Sequence, residues 1–292
     1  MNIKSDNTVF GMIAGGTDLP IEFLKHAHEY GIKETVVVGF KEWTPEEVAK
    51  NATYYEEMKL GELSRLIKLF KKKGVTKAVM LGRVPPKLAV TDISLDFRLL
   101  SLASKILDRR ADGIFKAVAD ELAKDGIYLQ NTNEYLKHLL TPKGVITKKQ
   151  PDKKQEIDIQ FGIDIATAIG THDIGQTAVV HKHAVIAVEA MEGTDECIKR
   201  AGKYTKNAVV VKLAKPNQDF RFDVPCVGPG TIESMIESGA SVLAVEANRS
   251  FILSRDKTVD LANKNGIIIC GIEKKAELNL VDQFLQTSST PR

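Results

Sequence analysis

The 292-residue chain holds only three cysteines, Cys197, Cys226 and Cys270. They are widely spaced, odd in number and without metal-type pairing, so they read as reduced thiols of a cytosolic protein. No apolar run approaches the roughly 20 residues needed to span a bilayer. That excludes a transmembrane helix and leaves contact with a membrane surface open. The start, MNIKSDNTVFGMIAGG, carries one lysine and a short apolar run broken by glycines, unlike a signal peptide. Charge of one sign is scarce as well: 41 Lys and Arg against 38 Asp and Glu leave a net charge of +3. With no basic arm and no platform of aromatic and basic residues, nucleic acid is disfavoured as a partner. The G-x-G-x-x-G fingerprint is missing too. GMIAGGTDLP sets two glycines between strand and helix, and the second strand ends VVVGFK without an acidic residue, which disfavours a nicotinamide-dependent oxidoreductase.

What is present is an ordinary globular composition, with 43% hydrophobic and 27% charged residues. The length suffices for two domains with separate cores. TVFGMIA, ETVVVGF, KAVML and IYLQN read as strands, alternating with the helical stretches IEFLKHAHEYG, ELSRLIKLFKKKG and DGIFKAVADELAKDG. This order predicts an α/β fold, with a Rossmann-like parallel-sheet domain over 1–131. A polar, proline-bearing stretch near 132–156 reads as the connection to a distinct C-terminal α/β catalytic domain over 132–292. There EIDIQFGIDIATAIG predicts a helix, and QTAVVHKHAVIAVEA a hairpin turning at Lys182. GTDECIKRAGKYT predicts a helix capped by Thr194. Strand NAVVVKLA, helix TIESMIESG, strand SVLAVEA, helix KTVDLANKNG and strand IIICGI follow, and the polar tail after Ile272 reads as frayed.

Several residues could carry chemistry, each beside a plainer structural reading. Gly15 and Gly16 could turn their amides toward a phosphate or simply form a tight turn. Gly82 and Arg83 follow a strand end, where open parallel sheets bind ligands. Asp112 reads most simply as a helix N-cap. Glu189 and Glu192 end a strand where a divalent cation could be held, with Asp173 and Gln176 nearby in sequence. Glu196 and Arg200, four apart, read as an exposed pair. His26 and His28 diverge on one helix and cannot share a metal, and His181 and His183 flank the hairpin turn. In KLAKPNQDFRFDVPCVGPGTIE a period of two puts Asp219, Arg221 and Asp223 on one side and Phe220, Phe222 and Val224 on the other. Lys212 and Lys215 precede this row, and the GPGT helix start with Thr231 follows it. Cations, carboxylates and an anion-ready helix start suit hydrolysis of a phosphate anhydride.

The segments IAGGTDLP, LGRV, DIGQ, AVEAMEGTDECIKR and KPNQDFRFDVPCVGPGTI together resemble the UDP-2,3-diacylglucosamine pyrophosphatase family of lipid A biosynthesis. The likeness is to the Mg²⁺-dependent class unrelated to calcineurin-like phosphoesterases, and it covers nearly the whole chain in the right order. It implies hydrolysis of UDP-2,3-diacylglucosamine to UMP and 2,3-diacylglucosamine 1-phosphate (lipid X), with water attacking the phosphorus on the sugar side. It also implies Mg²⁺ as cofactor and a substrate cleft between the two domains. A cytoplasmic location follows, with peripheral contact at the inner membrane and a homodimer both left open. Carried over, Asp223 is the catalytic carboxylate, as base or metal ligand, with Glu192 a second metal candidate. Lys215, Gln218, Asp219 and Arg221 match the contact segment before it, and Glu192, Thr194 and Asp195 match E-G-T-D. The sequence departs from the family's usual residues at Thr17, Gly113, Cys197 and Lys199. A non-catalytic lipid- or nucleotide-sugar-binding protein on the same frame is the alternative.

Overall fold

A computed structural model describes residues 9–83, 96–103 and 111–274. The PP of the GRVPP turn, the tail beyond residue 274 and the side chain of Asp112 lie outside the described residues. The chain forms two compact units. The first takes residues 1–140, 216–228 and 251–255; the second takes 141–215, 229–250 and 256–292. The division therefore falls after Leu140, and the segment from Pro216 to Gly228, which the sequence reading assigns to the second domain, packs with the first.

The first unit is built on five parallel strands, β1 (Val9–Ala14), β2 (Glu34–Phe40), β3 (Tyr54–Met58), β4 (Lys77–Leu81) and β5 (Tyr128–Leu129). Their order, β3-β2-β1-β4-β5, is the doubly wound arrangement, whose direction reverses between β1 and β4. The helices are α1 (Leu19–His26), α2 (Glu46–Asn51), α3 (Leu63–Lys72), α4 (Phe97–Ala103) and α5 (Ala111–Lys124). Alternation along β1 feeds two cores. Phe10, Met12 and Ala14 join Phe23, Val37, Val79 and Phe251, while Ile13 joins Val36, Val38, Phe70 and Leu122. Gly11 is required by close approach, since a Cβ there would lie 2.7 Å from Val75 and 2.9 Å from Ala78.

The second unit carries a six-stranded mixed sheet in the order β6-β13-β11-β9-β7-β8. Its strands are β6 (Gly144–Val145), β7 (Thr177–His181), β8 (Ala184–Val188), β9 (Val209–Lys212), β11 (Val242–Glu246) and β13 (Ile268–Ile272). β9, β11 and β13 run parallel, with β6 antiparallel at one edge and the β7–β8 hairpin at the other. β10 (Cys226–Val227) and β12 (Phe251–Ile252) form a separate parallel pair in the first unit. The helices are α6 (Lys153–Thr171), α7 (Thr194–Ala201), α8 (Pro229–Ser238) and α9 (Arg255–Lys264). α6 opens with a capping box: Asp152 accepts from the amides of Lys154 and Gln155, and Gln155 accepts from the amide of Asp152. Cys197 and Cys270 are packed away, and burial pushes both thiols up to about 12, so they act as core groups and not as nucleophiles. No described helix is long and apolar enough to cross a membrane.

Four sequence expectations change. Residues 132–156 are no bare connection: they hold two single-turn 3₁₀ segments, edge strand β6 and the start of α6. Asp112 lies inside α5, whose first described residue is Ala111, and so is not an N-cap. The N-cap of α7 is Gly193, at φ 82°, and Thr194 is the first helical residue. The alternating row at 219–224 is not a strand, because the amides of Phe222 and Asp223 both donate to the Asp219 carbonyl and close a turn.

Candidate active site

In the first unit, the loops leaving β1 and β4 meet at the point where the strand order reverses. The amide of Gly15 donates to Leu81 at 2.8 Å, and Gly16 and Arg83 exchange amide–carbonyl bonds of 2.9 Å each. Gly82, at φ 88°, is needed here, since a Cβ would lie 2.3 Å from the Gly16 carbonyl. The two glycine amides are thus spent on loop-to-loop bonds, which favours the tight-turn reading over phosphate binding. Arg83 is exposed beside them.

The turn after Pro216 supplies the second group of this unit. Asp219 receives the Arg221 guanidinium through both oxygens, at 2.9 and 2.6 Å, and also accepts from the Arg221 amide at 3.1 Å. Burial works to raise the Asp219 pKa, but the bonds from Arg221 prevail and hold it below the ordinary range. Gln218 is buried, and its Nε2 donates to Oδ2 and to the carbonyl of Asp223. Phe222 anchors the turn by packing against the core and the Phe115 ring, 5.7 Å between centroids. A cleft of about 440 Å³ is lined by Asn131, Asn217, Gln218, Asp219, Phe220 and Arg221. The amide of Thr132 donates to the Phe220 carbonyl, tying this turn to the chain after β5.

The second unit gathers a different set. Thr194 does not cap its helix; its hydroxyl donates to Glu189 Oε1 at 3.1 Å and accepts from Lys212 Nζ at 2.7 Å. Thr177 lies 3.4 Å from the same hydroxyl. Lys212 and Glu189 are only 6% and 7% exposed, so one hydroxyl joins two buried ionisable side chains. Glu189 Oε2 and Gln176 Oε1 are shielded from water and make no hydrogen bond, polar capacity that a ligand could use. Lys215 pairs with Asp173 at 2.6 Å, and Thr231 is buried in the first turn of α8. Asp195 is exposed in the first turn of α7.

The expected Glu196–Arg200 pair is replaced. Arg200 reaches Glu192 Oε1 at 2.5 Å, and Glu196 pairs with Lys199 at 3.2 Å. The Arg200 guanidinium holds the Glu192 carboxyl below its usual range, and the Ala190 amide occupies the other oxygen. Glu192 is therefore a poor fit for a cation. Asp223, steadied by Gln218, fits the single carboxylate that Mg²⁺ commonly takes from protein when phosphate oxygens and waters complete its shell.

The turn at Lys182 and His183 holds a feature the sequence reading missed. Both residues have positive φ, 51° and 61°, and both amides donate to buried Asp158 from α6, at 2.8 and 2.6 Å. The cue was an aspartate on the helix predicted from EIDIQFGIDIATAIG, at a position buried by the helical period.

Comparison with known proteins places a boundary at the same point near residue 140, while its C-terminal match also takes in the segment from Pro216 to Gly228. A family model described as the LpxI N-terminal domain matches residues 9–139, and one described as the LpxI C-terminal domain matches 142–270. A relative from Caulobacter vibrioides, named UDP-2,3-diacylglucosamine pyrophosphatase LpxI, is 27% identical over 274 residues, covering 90% of this chain and 97% of the relative. With both domain models matched in order across nearly all of its length, the chain belongs to the LpxI family.

Proposed function

We propose that this protein hydrolyses the pyrophosphate bond of UDP-2,3-diacylglucosamine. The observation that carries the reading is the match of both LpxI domains, together with a relative of that name aligned over 90% of the chain. Water attacks the phosphorus on the sugar side, its oxygen stays on the sugar phosphate, and UMP leaves with the bridging oxygen. Asp223 is the carboxylate we assign to this step. Gln218, by donating to Oδ2, keeps that side chain in one orientation, so the hydrolytic group need not be reorganised as charge develops. Mg²⁺, carried with the diphosphate and held at Asp223, would supply positive charge to the phosphoryl oxygens. Arg221, whose charge is already matched by Asp219, shapes the turn; Lys212 and the open acceptors Glu189 Oε2 and Gln176 Oε1 are binding groups for polar parts of the substrate. The two acyl chains bring the enzyme to a membrane surface by peripheral contact, each buried CH₂ contributing about 0.8 kcal/mol.

The test is hydrolysis of UDP-2,3-diacylglucosamine in ¹⁸O-water with MgCl₂. UMP release with label in the lipid 1-phosphate is the expected result. No UMP, or label in UMP instead, overturns the substrate or the direction of attack respectively.

A further inference from the structure

One cluster of ligand-type side chains stands apart from every residue assigned above. Glu22 and His26 are one turn apart on α1 and so share a face of the helix. His138 comes from the turn Lys137–Leu139, where flanking Leu136 and Leu139 are buried in the same core as Phe23 and Ala27 of the α1 segment. The two imidazole rings lie 3.9 Å apart at 30°, and His138 Nε2 is 3.7 Å from Glu22 Oε2. One donor atom from each of the three residues lies within 4.8 Å of the others, the one such group among the described residues.

Three details point to an ion. His26 Nδ1 sits 2.9 Å from the Glu22 backbone carbonyl. A carbonyl can only accept, so Nδ1 carries the proton and Nε2 keeps its lone pair, the way metal-binding imidazoles are commonly oriented. Both ring nitrogens of His138 are shielded from water, yet neither makes a hydrogen bond. The 3.7 Å approach to Glu22 is too long to be one. His26 is also the last residue of α1, where the helix dipole favours positive charge. The Glu22 oxygen facing the histidines is Oε2, while exposed Lys25 lies 3.5 Å from Oε1.

We propose that Glu22, His26 and His138 form a site for a divalent transition-metal ion of the zinc type, with a fourth position open to water. Two imidazoles and a carboxylate are a zinc donor set, and imidazole nitrogen selects such an ion over Mg²⁺. Zinc lies about 2.0–2.1 Å from imidazole nitrogen, so tetrahedral donors sit about 3.3 Å apart, and closure needs about 1.5 Å of side-chain movement. The side chains of Glu22 and His138 are about 30% exposed, which leaves the site reachable from solvent. Its effect is to clamp the chain after β5 to α1, within the stretch matched by the first LpxI domain.

The experiment is titration of the metal-stripped full chain with ZnCl₂ against a chromophoric chelator, in excess MgCl₂, followed by X-ray absorption at the zinc edge. The expected result is one saturable equivalent that Mg²⁺ does not displace, with nitrogen and oxygen scatterers, imidazole outer shells and no sulfur. His138→Ala and His26→Ala, each confirmed folded by circular dichroism, are expected to lose that equivalent, and Cys226→Ser to keep it. No stoichiometric binding to the unmutated chain, displacement by Mg²⁺, a sulfur shell, or an equivalent that survives both histidine substitutions would each overturn the site.

Discussion

In the turn after Pro216, Asp219 meets Arg221 two residues along and Gln218 meets Asp223 five residues along. Glu189, Thr194 and Lys212 instead come from the end of β8, the start of α7, and β9, which lies two places away from β8 in the sheet with β7 between them. The first group is local and, apart from buried Gln218, partly exposed; the second is largely buried and, through Lys212, reaches across eighteen positions to Thr194. A local cluster can be set by a few backbone turns, so its polar groups are free to serve chemistry at small cost to the fold. A buried long-range cluster is part of the fold, because each member left without its partner keeps a full desolvation penalty.

The largest expected effect tests the first half of that contrast. Asp223→Ala should lower UMP release by roughly 10²–10⁴-fold, with substrate binding and the unfolding midpoint little changed. Equal losses of rate and stability would merge the two classes. The second half is tested by Lys212→Met, which removes the cation from the Thr194–Glu189 network. It should cost about 3 kcal/mol in chemical denaturation, and Thr194→Val about half as much; an unchanged midpoint for both would break the comparison. Smaller still is Asp158→Ala, which strips two amide bonds from a turn held at positive φ and should cost about 2 kcal/mol. Adding Lys182→Asn with His183→Gly, residues that accept that backbone, should restore about 1 kcal/mol.

The smallest effect is a pH response of the local cluster. The folded Asp219 carboxyl titrates below the range of an unfolded aspartate. Its contribution is therefore present above that range and lost as pH falls through the folded value. Asp219→Asn should flatten this acid limb slightly in pH-dependent thermal unfolding, with both partners about a third exposed. An identical acid limb in the variant would separate Asp219 from the turn's stability.

The same distinction explains what the sequence could tell. β1, β2 and β4 are apolar runs bounded by turns, and their alternation with helices is enough for a parallel layer. β3 escaped because YYEEM is half-polar and lies at the edge of the described sheet, where one flank has no described strand beside it. The row at 219–224 has the period of a strand, but Asp219 accepts from the Arg221 amide and turns the chain, a competition between side chain and backbone that period alone does not weigh. At Thr194 the residue type suited a cap, and Lys212, eighteen positions away, claimed the hydroxyl instead. Local contacts within 218–223, and that of Glu189 with Thr194, could be anticipated as neighbours; the contact of Lys212 with Thr194 spans eighteen positions and depends on strand order, which no short window contains.

The stitch that joins Gly15 to Leu81 and Gly16 to Arg83 has a practical corollary. It occupies the crevice through which a doubly wound sheet ordinarily admits a dinucleotide, so engineering such a coenzyme into this layer would mean undoing three backbone bonds before a single contact could be gained.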